Sequence, residues 1–239
     1  MDEQDYINTW MVAVYSQDTE LILRIAITIK DLFQVPIPSL ANKLCFCSRL
    51  DAFKLSAGSA LHAIAENMHF TEKKNTKTIQ IRSICQLLIN VMGADPLLPD
   101  QNGNTPCHSA AKANNHKFLK VIHELVGIKA LFVKNVFKQI PVVLAIKNIQ
   151  AFSFLLKIHP SWASDPIDYD NKKMMFLVTT MTVAHICILF DDAQSLQICK
   201  HFDTNLLEKV GLSLCRCCTL FDAHKCLHLL RKKWQVQCS

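Results

Sequence analysis

The densest set of side chains able to do chemistry lies near the end of the chain: Cys215, Cys217, Cys218, His224, Cys226 and His228. Thiolate and imidazole are the ligands of tetrahedral zinc. Paired cysteines of zinc sites usually have two residues between them, however, and on a helix Cys217 and Cys218 face different directions. The set is read as small buried side chains where helices touch, with histidines at the surface. Cys45-Phe46-Cys47 is read in the same way, and no metal ligand is assigned. Cys107 beside His108 offers the residue types of a nucleophile and its base. Neighbours on a helix point apart, so the pair is not a dyad. The chain has no glycine-rich phosphate loop, no His-Glu-x-x-His and no Gly-x-Ser-x-Gly. No catalytic residue and no cofactor is expected, and the chain is not read as an enzyme.

A second set is basic: Lys112, Lys117, Lys120, Lys129, Lys134 and Lys138, with Phe118 and Phe132 among them. Lysines interleaved with aromatics can bind nucleic acid. Helical phase directs both phenylalanines to the core, which removes the stacking platform a single strand needs. The lysines are read as solvated surface, and no nucleic-acid partner is expected. The net charge of +6 would assist encounter with an acidic partner by long-range steering.

At 239 residues and 50% hydrophobic the chain is long and apolar enough to fold, and its 5 Gly and 8 Pro exclude collagen-like and low-complexity classes. Helices are favoured. The start, Met1-Asp2-Glu3-Gln4-Asp5, is acidic where an export signal would be basic and then apolar, so an intracellular site is expected, cytoplasmic or nuclear. The 11 cysteines are then read as reduced buried thiols. Met174 to Phe190 is uncharged but holds three threonines and His185, and is read as a buried helix, so no membrane partner is expected.

The elements that position these residues are set by Asp100-Gln101-Asn102-Gly103-Asn104-Thr105-Pro106-Cys107-His108-Ser109-Ala110-Ala111. Gly103 permits a tight turn, Thr105 can cap a helix, and Pro106 sits where that helix needs no donor. Phe118, Leu119, Ile122, Leu125 and Val126 then form the apolar stripe of a second helix. Upstream, Gly58-Ser59-Ala60-Leu61-His62-Ala63 repeats the theme. Downstream, Ile140-Pro141-Val142 and Thr182-Val183-Ala184-His185 do so again, and Gly93-Ala94-Asp95-Pro96 closes the unit before Asp100. This pattern resembles the ankyrin repeat. Its usual period is about 33 residues, so the wider spacings imply insertions near His69 to Thr78 and Ser161 to Lys173. Because glycine is scarce, Asn114-Asn115 and Asp191-Asp192 must make tight turns.

The resemblance implies an all-α solenoid of about six helix-turn-helix units forming one domain over 1–239. The clearest repeats are 57–98, 100–135, 136–170 and 178–210, with atypical capping units at 6–35 and 211–235. It implies that His62, His108 and His185 are structural rings bonded within the turns. It also implies that the turn tips and exposed sides of the first helices form a concave face that binds another protein. On this chain those positions are Gln101, Asn102, Asn104, Lys112, Ala113, Lys138, Gln139, Lys147 and Asn148. The implied function is an adaptor or inhibitor. Six units with an early insertion are similar to the inhibitor-of-kappa-B group, which masks Rel-type transcription factors, although no Asp-Ser-Gly-x-x-Ser signal precedes the repeats. Two alternatives are a ubiquitin-ligase substrate receptor, for which Leu212-Ser213-Leu214-Cys215-Arg216 resembles the core of a recognition box, and a zinc-stabilised module.

Overall fold

The computed structural model describes residues 3–16, 18–42, 58–66, 76–167 and 181–236. The expected insertions at His69 to Thr78 and Ser161 to Lys173 lie partly outside these residues, and Cys45-Phe46-Cys47 lies wholly outside them. The described residues form helices, with no strand beyond an isolated antiparallel bridge between Ile167 and Met181. Two compact units, Met1–Val136 and Phe137–Ser239, divide the chain.

The first unit carries α1 (Glu3–Ser16), α2 (Thr19–Phe33), α3 (Ile37–Asn42), α4 (Ala60–Glu66), α5 (Thr76–Gln86), α6 (Pro106–Lys112) and α7 (His116–Val126). Local chemistry sets the ends of these helices. The Asp18 carboxylate accepts from Leu21 N at 3.0 Å to start α2, and Gln34 stops it in a left-handed turn. Asn115 starts α7 by accepting from Phe118 N at 3.1 Å. Packing follows two rows: α4 lies against α1 and α6, while α5 lies against α7. Trp10, Leu61, Ile64, Ile84, Leu88, Phe118 and Ile122 are fully buried between the rows or nearly so. A hairpin with one apolar face can bury it only against another hairpin, which is why the layers stack.

The second unit carries α8 (Pro141–Leu144), α9 (Ile149–Ile158), α10 (Val183–Leu189), α11 (Ala193–Phe202), α12 (Leu206–Leu220) and α13 (His224–His228). Here α10 packs on α8 and α12, while α11 packs on α9 and α13, so the two-row arrangement recurs. Helix α12 runs through residue 211, where the sequence places the start of a capping unit. No helix among the described residues is long and apolar enough to cross a membrane.

The turn between the two helices of a layer repeatedly uses a left-handed residue: Asn114 (φ 58°) before α7, Lys147 (φ 74°) before α9, Asp191 (φ 46°) before α11 and Asp222 (φ 57°) before α13. Each non-glycine residue there costs about 1–2 kcal/mol. Side chains at these turns offset the cost by bonding between layers. Asn115 Nδ2 donates to the carbonyls of Ile64 and Ala65 at 3.3 and 3.1 Å, and Asp191 Oδ1 accepts from the backbone N–H of Lys225 and Cys226 at 3.0 Å.

Caps at the other end of the first helices depend on a buried imidazole. Ser59 N donates to His62 Nδ1 at 3.1 Å, and Thr105 N donates to His108 Nδ1 at 3.1 Å. The Thr182 hydroxyl lies 2.8 Å from His185 Nδ1. In His62, Nε2–H then donates to the Asn104 carbonyl at 2.9 Å, and in His185 it donates to Ser213 Oγ at 2.9 Å. The rings therefore tie one layer to the next, as the resemblance implies. Burial lowers the His62 pKa against opposing hydrogen-bond and carboxylate effects, and burial brings His185 down to about 4. Below pH 6.5 the unfolded chain binds a proton at His185 that the folded ring refuses until about pH 4. Stability is thus complete above pH 6.5 and falls as the pH drops toward 4, by about 3 kcal/mol for this ring alone. Urea unfolding across that window tests the sign: the midpoint declines on acidification, and the decline is shallower in a His185→Gln chain. A midpoint that does not change between pH 6.5 and 5 contradicts this account.

Candidate functional site

The turn tip preceding α6 is built on one carboxylate. Asp100 Oδ1 accepts from Asn102 N and Asn104 N at 2.8 and 2.7 Å, and Gly103 N donates back to the Asp100 carbonyl at 3.0 Å. This turn packs on the following one: Val136 N donates to the Asn102 carbonyl at 3.2 Å, and Asn135 Nδ2 donates to Asn104 Oδ1 at 2.9 Å. Gln101 and Asn102 are exposed at the tip. Asn104 is half-buried, with its amide committed to Asp100 and Asn135, so its side chain serves the turn. Lys112 is exposed on the last turn of α6, and Ala113 behind it is half-buried.

In the second unit, Lys138 is exposed with φ 59°, and Gln139 is half-buried. Lys147 is exposed, with its ammonium 5.0 Å from the centre of the Phe190 ring, a cation–π contact. Asn148 is half-buried, and its Nδ2 donates to the Leu144 carbonyl at 3.4 Å. Within each unit, then, the expected positions divide into exposed side chains and side chains that hold the turns.

Phe118 is fully buried as its helical phase requires, but Phe132 is 42% exposed and corrects the expectation that it faces the core. The cause is local. Gly127, at φ 90°, ends α7, and a 3-10 turn over Ile128–Leu131 follows, so the helical phase does not carry to residue 132. Val136, which period-based reading does not single out, is 63% exposed.

Six of the described cysteines are held away from the thiolate form by burial. Burial pushes Cys107 and Cys218 up to about 12 and Cys217 up to about 11, and it raises Cys85, Cys187 and Cys226 well above the ordinary thiol value. Cys85, Cys107, Cys187, Cys199, Cys217, Cys218 and Cys226 are free and buried, whereas Cys215 is disulfide-bonded, which corrects the expectation of a reduced thiol there. Among the described residues no group of three His, Cys, Asp or Glu side chains is placed to hold a metal ion. His224, in the sequence cluster, is mostly exposed and lies 3.1 Å from Asp222.

Sequence reading does not anticipate a polar cluster in which the buried Ser164 and Asp203 meet the exposed Lys209. Ser164 Oγ donates to Asp203 Oδ2, while Lys209 Nζ donates to Ser164 Oγ at 2.9 Å and to Asp203 Oδ2 at 3.3 Å. The cluster ties the turn at Ser164 to the end of α11 and the start of α12. Its members are too far apart in sequence for any local motif to reveal them.

The close approach at the tip has a direct test. A Cβ on Gly103 would stand 2.8 Å from Val136 N, whereas one on Gly93, at a similar left-handed φ, would meet nothing nearer than 3.4 Å. Both alanine substitutions carry the backbone cost of about 1 kcal/mol or more. Gly103→Ala should therefore lower the urea midpoint further than Gly93→Ala. Equal losses would show that the two tips are not packed.

No family model matches this chain, and neither does any curated protein. Solved structures do. The crystal structure of the ankyrin repeat domain of Bcl-3, described as a unique member of the IkappaB protein family, superposes with a TM-score of 0.58. It covers 97% of this chain and 86% of that one at 14% identity. At that identity the likeness speaks for fold alone, and it agrees with the paired rows, the capped first helices and the imidazoles within the turns. The chain has the ankyrin-repeat fold, an all-α solenoid of about six helix-turn-helix units whose terminal units are degenerate.

Proposed function

We propose that this chain is a non-catalytic adaptor or inhibitor that binds another protein through its turn tips and the exposed ends of its first helices. The observation that carries the reading is the ordered tip over Asp100–Asn104, in which Gln101 and Asn102 stay exposed on a turn fixed by hydrogen bonds. A preordered surface binds without a large ordering cost. Lys112 in the first unit, and Lys138 and Lys147 in the second, are exposed at the matching positions. Asn104, Ala113, Gln139 and Asn148 act behind them as support. The setting we infer is the cytoplasm or nucleus; the seven free buried thiols among the described residues support it, and the disulfide at Cys215 weighs against it.

The finer reading is an inhibitor-of-kappa-B-like blocker of Rel-type transcription factors. Its support is the fold shared with the Bcl-3 domain together with the early insertion read from the sequence. Affinity capture from cells, followed by mass spectrometry, tests both levels. Wild-type chain should retain a protein partner, and a Gln101→Arg, Asn102→Arg, Lys112→Glu chain with an unchanged melting curve should retain it about ten-fold less. Equal retention by the variant would overturn the surface assignment. Rel-type factors among the captured proteins support the inhibitor, whereas elongin and cullin subunits would replace it with the ubiquitin-ligase receptor.

A further inference from the structure

We propose that the segment from Lys129 to Val136, together with the adjoining tip of Gln101 and Asn102, docks an acidic polypeptide segment that carries apolar side chains. This inference rests on the protein-binding reading above and adds the chemistry of the partner.

Charge along the chain is strongly uneven. Residues 101–164 hold eight lysines, no arginine and one acidic residue, Glu124, while the remainder holds 18 basic and 19 acidic residues. The whole net charge of +6 therefore comes from this one stretch. Glu124 is engaged by Arg82, so its carboxylate is directed to a partner outside the lysine set. In the first unit, Lys112, Lys120, Lys129 and Lys134 are all exposed. The Asp100 carboxylate lies at the tip but is taken up by the backbone N–H of Asn102 and Asn104, and the lysines around it give a positive potential that steers an acidic chain toward this surface.

The same segment presents apolar surface. Phe132 is 42% exposed and Val136 is 63% exposed, alternating with Lys129 and Lys134. Isolated exposed apolar residues are ordinary. These two sit on a segment anchored by buried Ala130 and Leu131 at one end and by the Val136 N to Asn102 carbonyl bond at the other. An aromatic anchor held on a fixed segment and rimmed by charge is the pattern of an interface hot spot.

Nucleic acid fits less well. The chain has no arginine between Arg82 and Arg216, so this surface lacks the planar fork that grips phosphate, although the exposed Phe132 ring is a face on which a base could stack. Lysine ammonium groups beside apolar side chains suit carboxylates interspersed with apolar residues.

Selection from a displayed library of random dodecapeptides on the immobilised full chain tests the proposal, with a single-stranded oligothymidine run alongside. Recovered peptides should be rich in Asp and Glu and should contain at least one large apolar residue. Their affinity should fall about ten-fold or more in a Lys129→Glu, Lys134→Glu chain and in a Phe132→Ser, Val136→Ser chain. All four positions are exposed, so both variants should keep the wild-type melting curve. Neutral or basic peptides, or acidic peptides unaffected by either variant, would overturn this inference and leave the protein-binding reading standing. Recovery of no peptide, with the oligothymidine bound, would overturn both.

Discussion

Three first helices of this protein, α4, α6 and α10, begin at a buried imidazole, and at α4 that ring must remain uncharged. His62 accepts a backbone N–H on one nitrogen and donates to the next turn tip from the other, which only the neutral ring can do. Protonation would set one N–H against another inside a buried site, a cost that water cannot relieve. That single hydrogen-bonding pattern fixes the start of α4 and the position of Asn104 in the following turn. The exposed side chains of that turn, Gln101 and Asn102, inherit their placement from it.

The opposite end of the layers is held by a different compromise. Glycine is scarce, so left-handed residues such as Asn114 and Asp191 bear local strain, and the strain persists because adjoining side chains bond into neighbouring layers. Neither feature is stable alone. A hairpin without its neighbour would lose both the apolar contact and the hydrogen bonds that make its turn tolerable, so stability is shared between adjacent layers. The result is a framework of interdependent layers that leaves tips and helix ends exposed.

What the sequence reveals follows the range of the forces involved. Thr105, Pro106 and His108 act within one helical turn, so the cap they form can be read directly from their spacing. The repetition of that cap at Ser59 and Thr182 gives the stacked fold. Exposure is less legible, because it depends on what packs from elsewhere. Phe132 defeats helical phase because Gly127 breaks the helix before it. Asn104 occupies a contact position by spacing, yet its amide is consumed by Asp100 and by Asn135, 31 residues away. The tie between Ser164, Asp203 and Lys209 joins residues 39 and 45 positions apart, beyond the reach of any local pattern. The candidate surface could thus be located by repeat register, whereas its division into exposed and supporting side chains needed coordinates.

A fold of this kind supplies shape and leaves recognition to side chains on its surface, so its likeness to another ankyrin domain speaks for architecture before partner. The uneven charge and the exposed apolar segment are properties of this chain's own residues, and they give the proposed recognition surface its chemical character. Their usefulness depends on the framework staying rigid, and hence on the neutral rings beneath the tips. Nitrogen NMR of the imidazoles in the folded protein tests that foundation most directly. His62 and His185 should each show an unprotonated Nδ1 and a protonated Nε2 at neutral pH, and His185 should keep that state at pH 5.5. Rings that titrate near 6.5 like free histidine would contradict it.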